Sequence, residues 1–216
     1  MLKTIVFDFD GVILESADIK TKAFKKIFEE EYPEQADKLV EYHLKHAGIS
    51  RFTKFRYFYE KILKLPYTKD IENKLGEKFK NTVLNDILNC SFVPGALEFL
   101  RSFSGKFLFF IASGSEEQEL KYIISKRHIL SYFKEIHGGH RKKTAIIEDI
   151  ISRYDLKKEE ILFVGDADSD RKAADLSRIH FVAVITGTES TLNDCTYKIS
   201  SLHELNKVID QINNKQ

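Results

Sequence analysis

Thr4-Ile5-Val6-Phe7-Asp8-Phe9-Asp10-Gly11 is the stretch that decides the fold. Its first four residues are apolar or β-branched with no helical spacing, which reads as a short buried strand. They run straight into two carboxylates and a glycine able to turn sharply. Working outward, residues 107–112, 161–164 and 181–185 look alike. Each run is apolar throughout, as strands covered on both faces are, and each ends near Ser, Gly, Asp or Thr. A weaker strand, Glu135-Ile136-His137, lies between the first and second of them. Helical spacing fills residues 116–126, 144–154 and 171–177. Strands alternating with helices predict an α/β fold, a doubly wound and mostly parallel sheet.

One stretch breaks the rhythm. From residue 16 to residue 88 the patterns are helical, over 22–32, 36–46, 52–63 and 70–87, with breaks at Pro33, Gly48 and Pro66. The chain returns to the α/β pattern at Val93-Pro94-Gly95-Ala96, ahead of a Leu-rich helix over 97–103. The expected organisation is therefore an α/β core from residues 1–15 and 89–216, interrupted by a small helical unit over 16–88.

Composition narrows the function classes. In 216 residues, 34 Lys and Arg face 33 Asp and Glu, a net charge of +1, which removes the simplest electrostatic argument for nucleic acid or a membrane surface as partner. With 43% hydrophobic and 31% charged residues the chain is a folded protein and not a disordered one. No run approaches the roughly 18 apolar residues of a membrane span. Asp8 and Asp10 interrupt the N-terminal apolar run before a secretory signal is complete. Cys90 and Cys195 are far apart and form no CxxC, so neither a disulfide framework nor a thiolate zinc site is expected, and a cytoplasmic location fits.

In parallel α/β sheets ligands sit beyond the carboxyl ends of the strands. The residues there are chemically coherent: Asp8 and Asp10 after the first strand, Ser113 and Gly114 after the second, Lys142 and Lys143 before the helix over 144–154, and Gly165-Asp166-Ala167-Asp168-Ser169-Asp170 after the fourth. Carboxylates beside a lysine and a hydroxyl suit a hard, oxygen-liganded cation bound together with an anion, and magnesium with a phosphate is the natural pair. His137 and His140 lack a third ligand and do not read as a metal site. Asp168 reads as a solvated loop carboxylate.

Taken in order, Asp8-Phe9-Asp10-Gly11, Ser113, a lysine and Gly165-Asp166-xxx-Asp170 resemble the four motifs of the haloacid dehalogenase (HAD) superfamily. The helical insertion sits where the cap of the phosphoglycolate phosphatase and β-phosphoglucomutase branch sits. The resemblance implies a Rossmann-like core with an inserted α-helical cap, and gives Asp8 as the nucleophile and Asp10 as general acid and base. It implies magnesium (Mg2+) on Asp8, Asp166 and the Asp10 backbone carbonyl, with Asp170 holding ligand waters or orienting its neighbours. Ser113, Gly114 and the lysine would meet the phosphoryl oxygens. The lysine-then-helix pattern favours Lys143 over Lys142 for that position.

In the cap, Arg51 and Lys54 are candidates for contacting a second anionic group on the substrate. The implied activity is hydrolysis of a small soluble phosphate monoester by a monomer or weak dimer. The alternatives are a sugar phosphomutase of the β-phosphoglucomutase type, or a non-catalytic binding or regulatory module. An acid at position 10 separates the chain from dehalogenating and phosphonate-cleaving relatives. Three places depart from the family pattern: Glu15 in the hinge, Gly138-Gly139-His140-Arg141 ahead of the lysine pair, and Ser177-Arg178-Ile179-His180, which lacks a glycine.

Overall fold

The computed structural model describes residues 1–186 and 190–215. Six strands form one sheet: β1 (Thr4–Phe7), β2 (Leu108–Ala112), β3 (Glu135–His137), β4 (Ile161–Gly165), β5 (His180–Val184) and β6 (Lys198–Ile199). They lie in the order β3-β2-β1-β4-β5-β6 and every pairing is parallel. β1 is central, with Phe7 level with Ile111 on one side and Val164 on the other. The order reverses across β1, so the crevice beyond its carboxyl end is the place where a ligand can lie.

Alternation along the strands sorts the core into two layers. Ile5, Phe7, Phe109, Ile111, Leu162 and Val164 point to one face, and Val6, Phe110, Ile161 and Phe163 to the other. The first face is covered by α5 (Ala96–Phe103), α6 (Glu117–Lys126) and α9 (Leu205–Asn213). The second is covered by α7 (Lys143–Arg153) and α8 (Asp168–Ser177). The sheet is thus wound on both sides. β6 and α9 are additions to the sequence reading; α9 buries Leu205, Val208, Ile209 and Ile212, the spacing of one helix face.

Between β1 and α5 the described chain is helical: α1 (Ala17–Phe28), α2 (Pro33–Lys45), α3 (Arg51–Tyr57) continuing into a π-helical segment Phe58–Leu63, and α4 (Lys69–Asn89). Pro33 does not merely break a helix but starts one, because the first helical position needs no backbone donor. Gly48, at φ +75, turns the chain from α2 toward α3. The insertion closes around its own aromatic centre, with Phe24 against Phe79 (4.7 Å between ring centroids) and Phe28 against Phe58 (4.4 Å). That centre is continuous with the larger of the two sheet layers. The outgoing and returning connections run side by side: Glu15 N–H donates to the Ser91 carbonyl at 3.0 Å and Val93 N–H to the Ile13 carbonyl at 3.0 Å.

Candidate active site

Asp8 is the first residue past β1. Its N–H donates to the Val164 carbonyl at 2.9 Å, so the end of the sheet itself fixes the backbone that carries this carboxylate. Oδ1 accepts from the Phe9 N–H at 2.7 Å, while Oδ2 lies 2.9 Å from Lys143 Nζ. Lys143 opens α7 and is buried; its ammonium also reaches Asp170 Oδ1 at 2.5 Å. Asp170 is fully buried, with its other oxygen accepting from the Ala167 N–H at 3.1 Å. That bond starts α8 at Asp168, three residues ahead of the sequence reading. Lys142, by contrast, is exposed just ahead of α7, and Lys143 is the one of the pair that lies beside Asp8.

Asp8, Asp166 and Asp170 each offer an oxygen within 4.8 Å of the others, and this is the one such cluster among the described residues. Gly11, at φ +77, makes room for it: a Cβ there would fall 2.1 Å from Asp166 Oδ2. One ammonium therefore pairs with two buried carboxylates, Asp8 and Asp170, and the half-buried Asp166 stands beside them. The deficit shows in the acidity of Asp8 and Asp166. Burial, with Asp170 and Asp10 adding repulsion and Lys143 opposing, pushes Asp8 up to about 6. Burial followed by the Asp8 and Asp170 charges holds Asp166 well above the usual carboxylate range. A hard divalent cation on oxygen ligands would supply the missing charge, and the donor set fits one.

Asp10 lies beside this cluster and is held differently. Its Oδ1 accepts from Ser16 Oγ at 2.6 Å, and its Oδ2 from Lys20 Nζ at 2.5 Å and Ser115 Oγ at 2.8 Å. Burial would raise its carboxyl, but the Lys20 charge and these three donors outweigh burial and lower it. Ser16, Lys20 and Ser115 escaped the sequence reading. Lys20 sits on α1, where a lysine on a helix facing solvent would have the same signature, and only the tertiary fold brings it to Asp10.

Ser113 is buried, its N–H donating to the His137 carbonyl at 3.1 Å and its Oγ accepting from the Ser115 N–H at 3.2 Å. Gly114 lies beneath the insertion, where a Cβ would meet the Gly48 carbonyl at 2.5 Å. The same loop is pinned from the core by Ser169 Oγ, which donates to the Ala47 carbonyl at 2.9 Å. At Gly48 a Cβ would stand 2.2 Å from Ser169 Oγ and 3.3 Å from Lys143 Nζ. The insertion is therefore shut down on the site. Between them remains a cavity of about 160 Å³ with Asp8, Asp10, Lys20, Lys54, Ser113 and Asp166 among its walls.

Of the two cap candidates, Arg51 also lines the cavity but donates from Nη1 to Glu119 Oε2 on α6 at 2.8 Å, tying insertion to core. Lys54 is 2% exposed and lies 2.7 Å from His43 Nδ1. His137 is bound to Glu135 at 2.7 Å and His140 stacks on Phe52, so neither joins the acidic cluster. Asp168 is outside it too. Cys90 and Cys195 are free thiols.

A family model described as haloacid dehalogenase-like hydrolase matches residues 5–184. No curated protein matches the chain. Among solved structures, a β-phosphoglucomutase from Clostridium difficile superposes with a TM-score of 0.81 at 19% identity, covering 100% of this chain and 99% of that one. A predicted phosphoglycolate phosphatase from Haemophilus somnus gives 0.77 at 16% identity, covering 96% and 98%. The HAD-hydrolase YfnB of Bacillus subtilis, solved bound to magnesium, gives 0.71 at 17% identity, covering 97% and 99%. At these identities the likeness is one of fold.

Proposed function

The chain belongs to the haloacid dehalogenase-like hydrolases, and from that footing we propose that it is a cytoplasmic, magnesium-dependent phosphatase of a small soluble phosphate monoester, with residues 16–88 as its cap. The observation that carries the reading is the placement of Asp8. It stands at the carboxyl end of the central strand, 2.9 Å from the Lys143 ammonium, on the wall of the cavity beneath the insertion.

In this reading an Asp8 carboxylate oxygen attacks phosphorus; the new O–P bond forms as the ester P–O bond breaks, and the departing alcohol takes a proton from Asp10. Asp10, now ionised, removes a proton from water, which attacks the same phosphorus and releases inorganic phosphate and the Asp8 carboxylate. Ser113 Oγ and the Gly114 N–H hold the phosphoryl oxygens, and Lys143 balances charge gathering on them. Asp8, Asp166 and the Asp10 carbonyl, with Asp170 in support, would hold magnesium, which would supply positive charge against repulsion between carboxylate and phosphate dianion. Asp10 as found is prepared for the second half-reaction. The first needs it protonated, so the pairing to Lys20 has to loosen before the ester bond breaks.

The test is a panel of small phosphate esters with magnesium chloride, against the same panel in EDTA, read by release of inorganic phosphate. Magnesium-dependent release abolished by Asp8→Asn supports the reading, and a flat response across the panel overturns it in favour of a non-catalytic module. The fold shared with a β-phosphoglucomutase keeps a sugar phosphomutase as the second reading. Incubation with a hexose 1-phosphate and an activating bisphosphate separates the two, by isomerised sugar in place of free phosphate.

A further inference from the structure

Four cationic side chains line or reach the cavity, and three are already matched. Lys20 pairs with Asp10, Lys143 with Asp8 and Asp170, and Arg51 with Glu119. Lys54, on α3, is the fourth. Among the described residues no carboxylate lies within ion-pair distance of it, although it is almost completely buried. Its Nζ faces the Phe24 ring at 5.3 Å and contacts His43 Nδ1 at 2.7 Å. His43 Nε2 lies 3.0 Å from Thr21 Oγ1, whose hydroxyl donates to the Ala17 carbonyl at 3.1 Å. The chain of donors runs in one direction: Lys54 to imidazole, imidazole N–H to Thr21, Thr21 to backbone. It requires a neutral His43, and the imidazole is indeed held down to about 3, by burial first and then by Lys54 and Lys20. An ammonium carries three N–H donors, and His43 takes one. Among the described residues no other acceptor is within hydrogen-bond distance of it, and Lys54 is one of the residues lining the cavity beside Asp8 and Asp10.

We propose that Lys54, braced by His43 and Thr21, is the specificity-determining residue of this site and reads a second anionic group, such as a carboxylate, on the leaving part of a small phosphate monoester. Arg51 is a fastening between cap and core, already matched by Glu119, and does not share that role. The subsite rests on the phosphatase reading for the phosphoryl end alone; its recognition of the second anion is measured separately.

The same surroundings give the subsite a pH signature. Lys54 is faced by His43 from α2, by Lys20 from α1, and by Asp10, Lys143 and Asp166 from the core. Burial, with Lys20 repelling and Asp10 opposing, brings its amine down to about 7. Below that pH the ammonium is present before the ligand arrives. Above it, binding of the anion must draw a proton onto Lys54, so affinity for the anionic group falls as pH rises.

The experiment is calorimetric titration, with magnesium chloride present, of 3-phosphonopropionate and of its uncharged isostere 3-phosphonopropionamide. The full chain should prefer the carboxylate by about 10- to 100-fold at pH 6.5, the size of a charge-assisted hydrogen bond. Above pH 7 the preference should shrink, by up to about tenfold per pH unit. Lys54→Met should bring the ratio near one, while Arg51→Met should keep it. A ratio near one in the parent protein, or equal loss in both variants, overturns the proposal, and a ratio that does not change between pH 6.5 and 9 overturns its pH signature. If Lys54→Met does not fold, Lys54→Gln, which also lacks the charge, is read in its place. Ester hydrolysis without the preference defeats the subsite and spares the phosphatase; the preference without hydrolysis of any ester does the reverse.

Discussion

Asp8→Asn is expected to give a protein that turns over no ester and yet, freed of divalent metal, melts at a higher temperature than its parent. The structural cause is the surplus of carboxylates. Asp8 is pushed from its usual 3.8 to about 6, chiefly by burial, so the folded state holds the ionised form less well than the unfolded chain does. A raised carboxyl contributes stability that is complete below about pH 4 and is lost as pH climbs through about 6. At pH 7.5 that loss is complete, and the gap corresponds to roughly 3 kcal/mol. Asparagine cannot ionise, but its oxygen still accepts from the Phe9 N–H, and Lys143 keeps Asp170 as partner. For a chain of this length roughly 3 kcal/mol is a rise of about 6–12 °C, taken as an upper bound. Melting curves in EDTA at pH 7.5 measure it. The advantage should fade toward pH 4, and magnesium should reverse it by stabilising the parent more than the variant. A variant that melts below its parent in EDTA at pH 7.5 would refute the charge argument, and retained turnover would refute the nucleophile.

Three further outcomes follow from other parts of the site. Asp10→Asn should depress hydrolysis of alkyl phosphates about 100-fold more than hydrolysis of p-nitrophenyl phosphate, whose leaving group needs no proton; steady-state rates on the pair check it. Gly11→Ala adds a Cβ 2.1 Å from Asp166 Oδ2 at a φ of +77, and should cost more than about 1 kcal/mol of stability and blunt the magnesium-induced rise in melting temperature. Glu119→Ala strands the largely buried Arg51 charge, whose Nε already lacks a partner, and should destabilise by about 3 kcal/mol while raising KM through a looser cap; thermal melts and steady-state kinetics report each.

The sheet and the acidic residues at its edge were legible because each signal is local. Thr4–Phe7 and Ile161–Gly165 are short runs covered on both faces, and their carboxyl ends carry the chemistry within a few residues. Lys143 could be favoured but not fixed from its neighbour, since only the depth of α7 in the fold separates a buried lysine from an exposed one. What was illegible is the set of contacts between distant segments. Lys20 and Ser115 meet across 95 residues, and Arg51 and Glu119 across 68, with no motif announcing either. Arg51 and Lys54 share a stretch of basic and aromatic residues that reads uniformly; the acid facing one and the imidazole facing the other make them different groups. β6, two residues long, is too short to leave a pattern, and it exists because β5 offers an edge to pair with.

The paired connections at Ile13–Val93 and Glu15–Ser91 carry a consequence for how such a chain can change. The strands that leave and re-join the sheet domain run antiparallel and hydrogen-bonded, about 5 Å apart, which is the geometry a two-residue hairpin closes. The chain thus leaves and re-enters the sheet at a single point. An insertion of any length whose ends meet at one strand spacing can be exchanged there without changing the register of β1 or β2. Such an exchange does alter the surroundings of Asp10, because Ser16 and Lys20, two of its three side-chain donors, leave with the insertion.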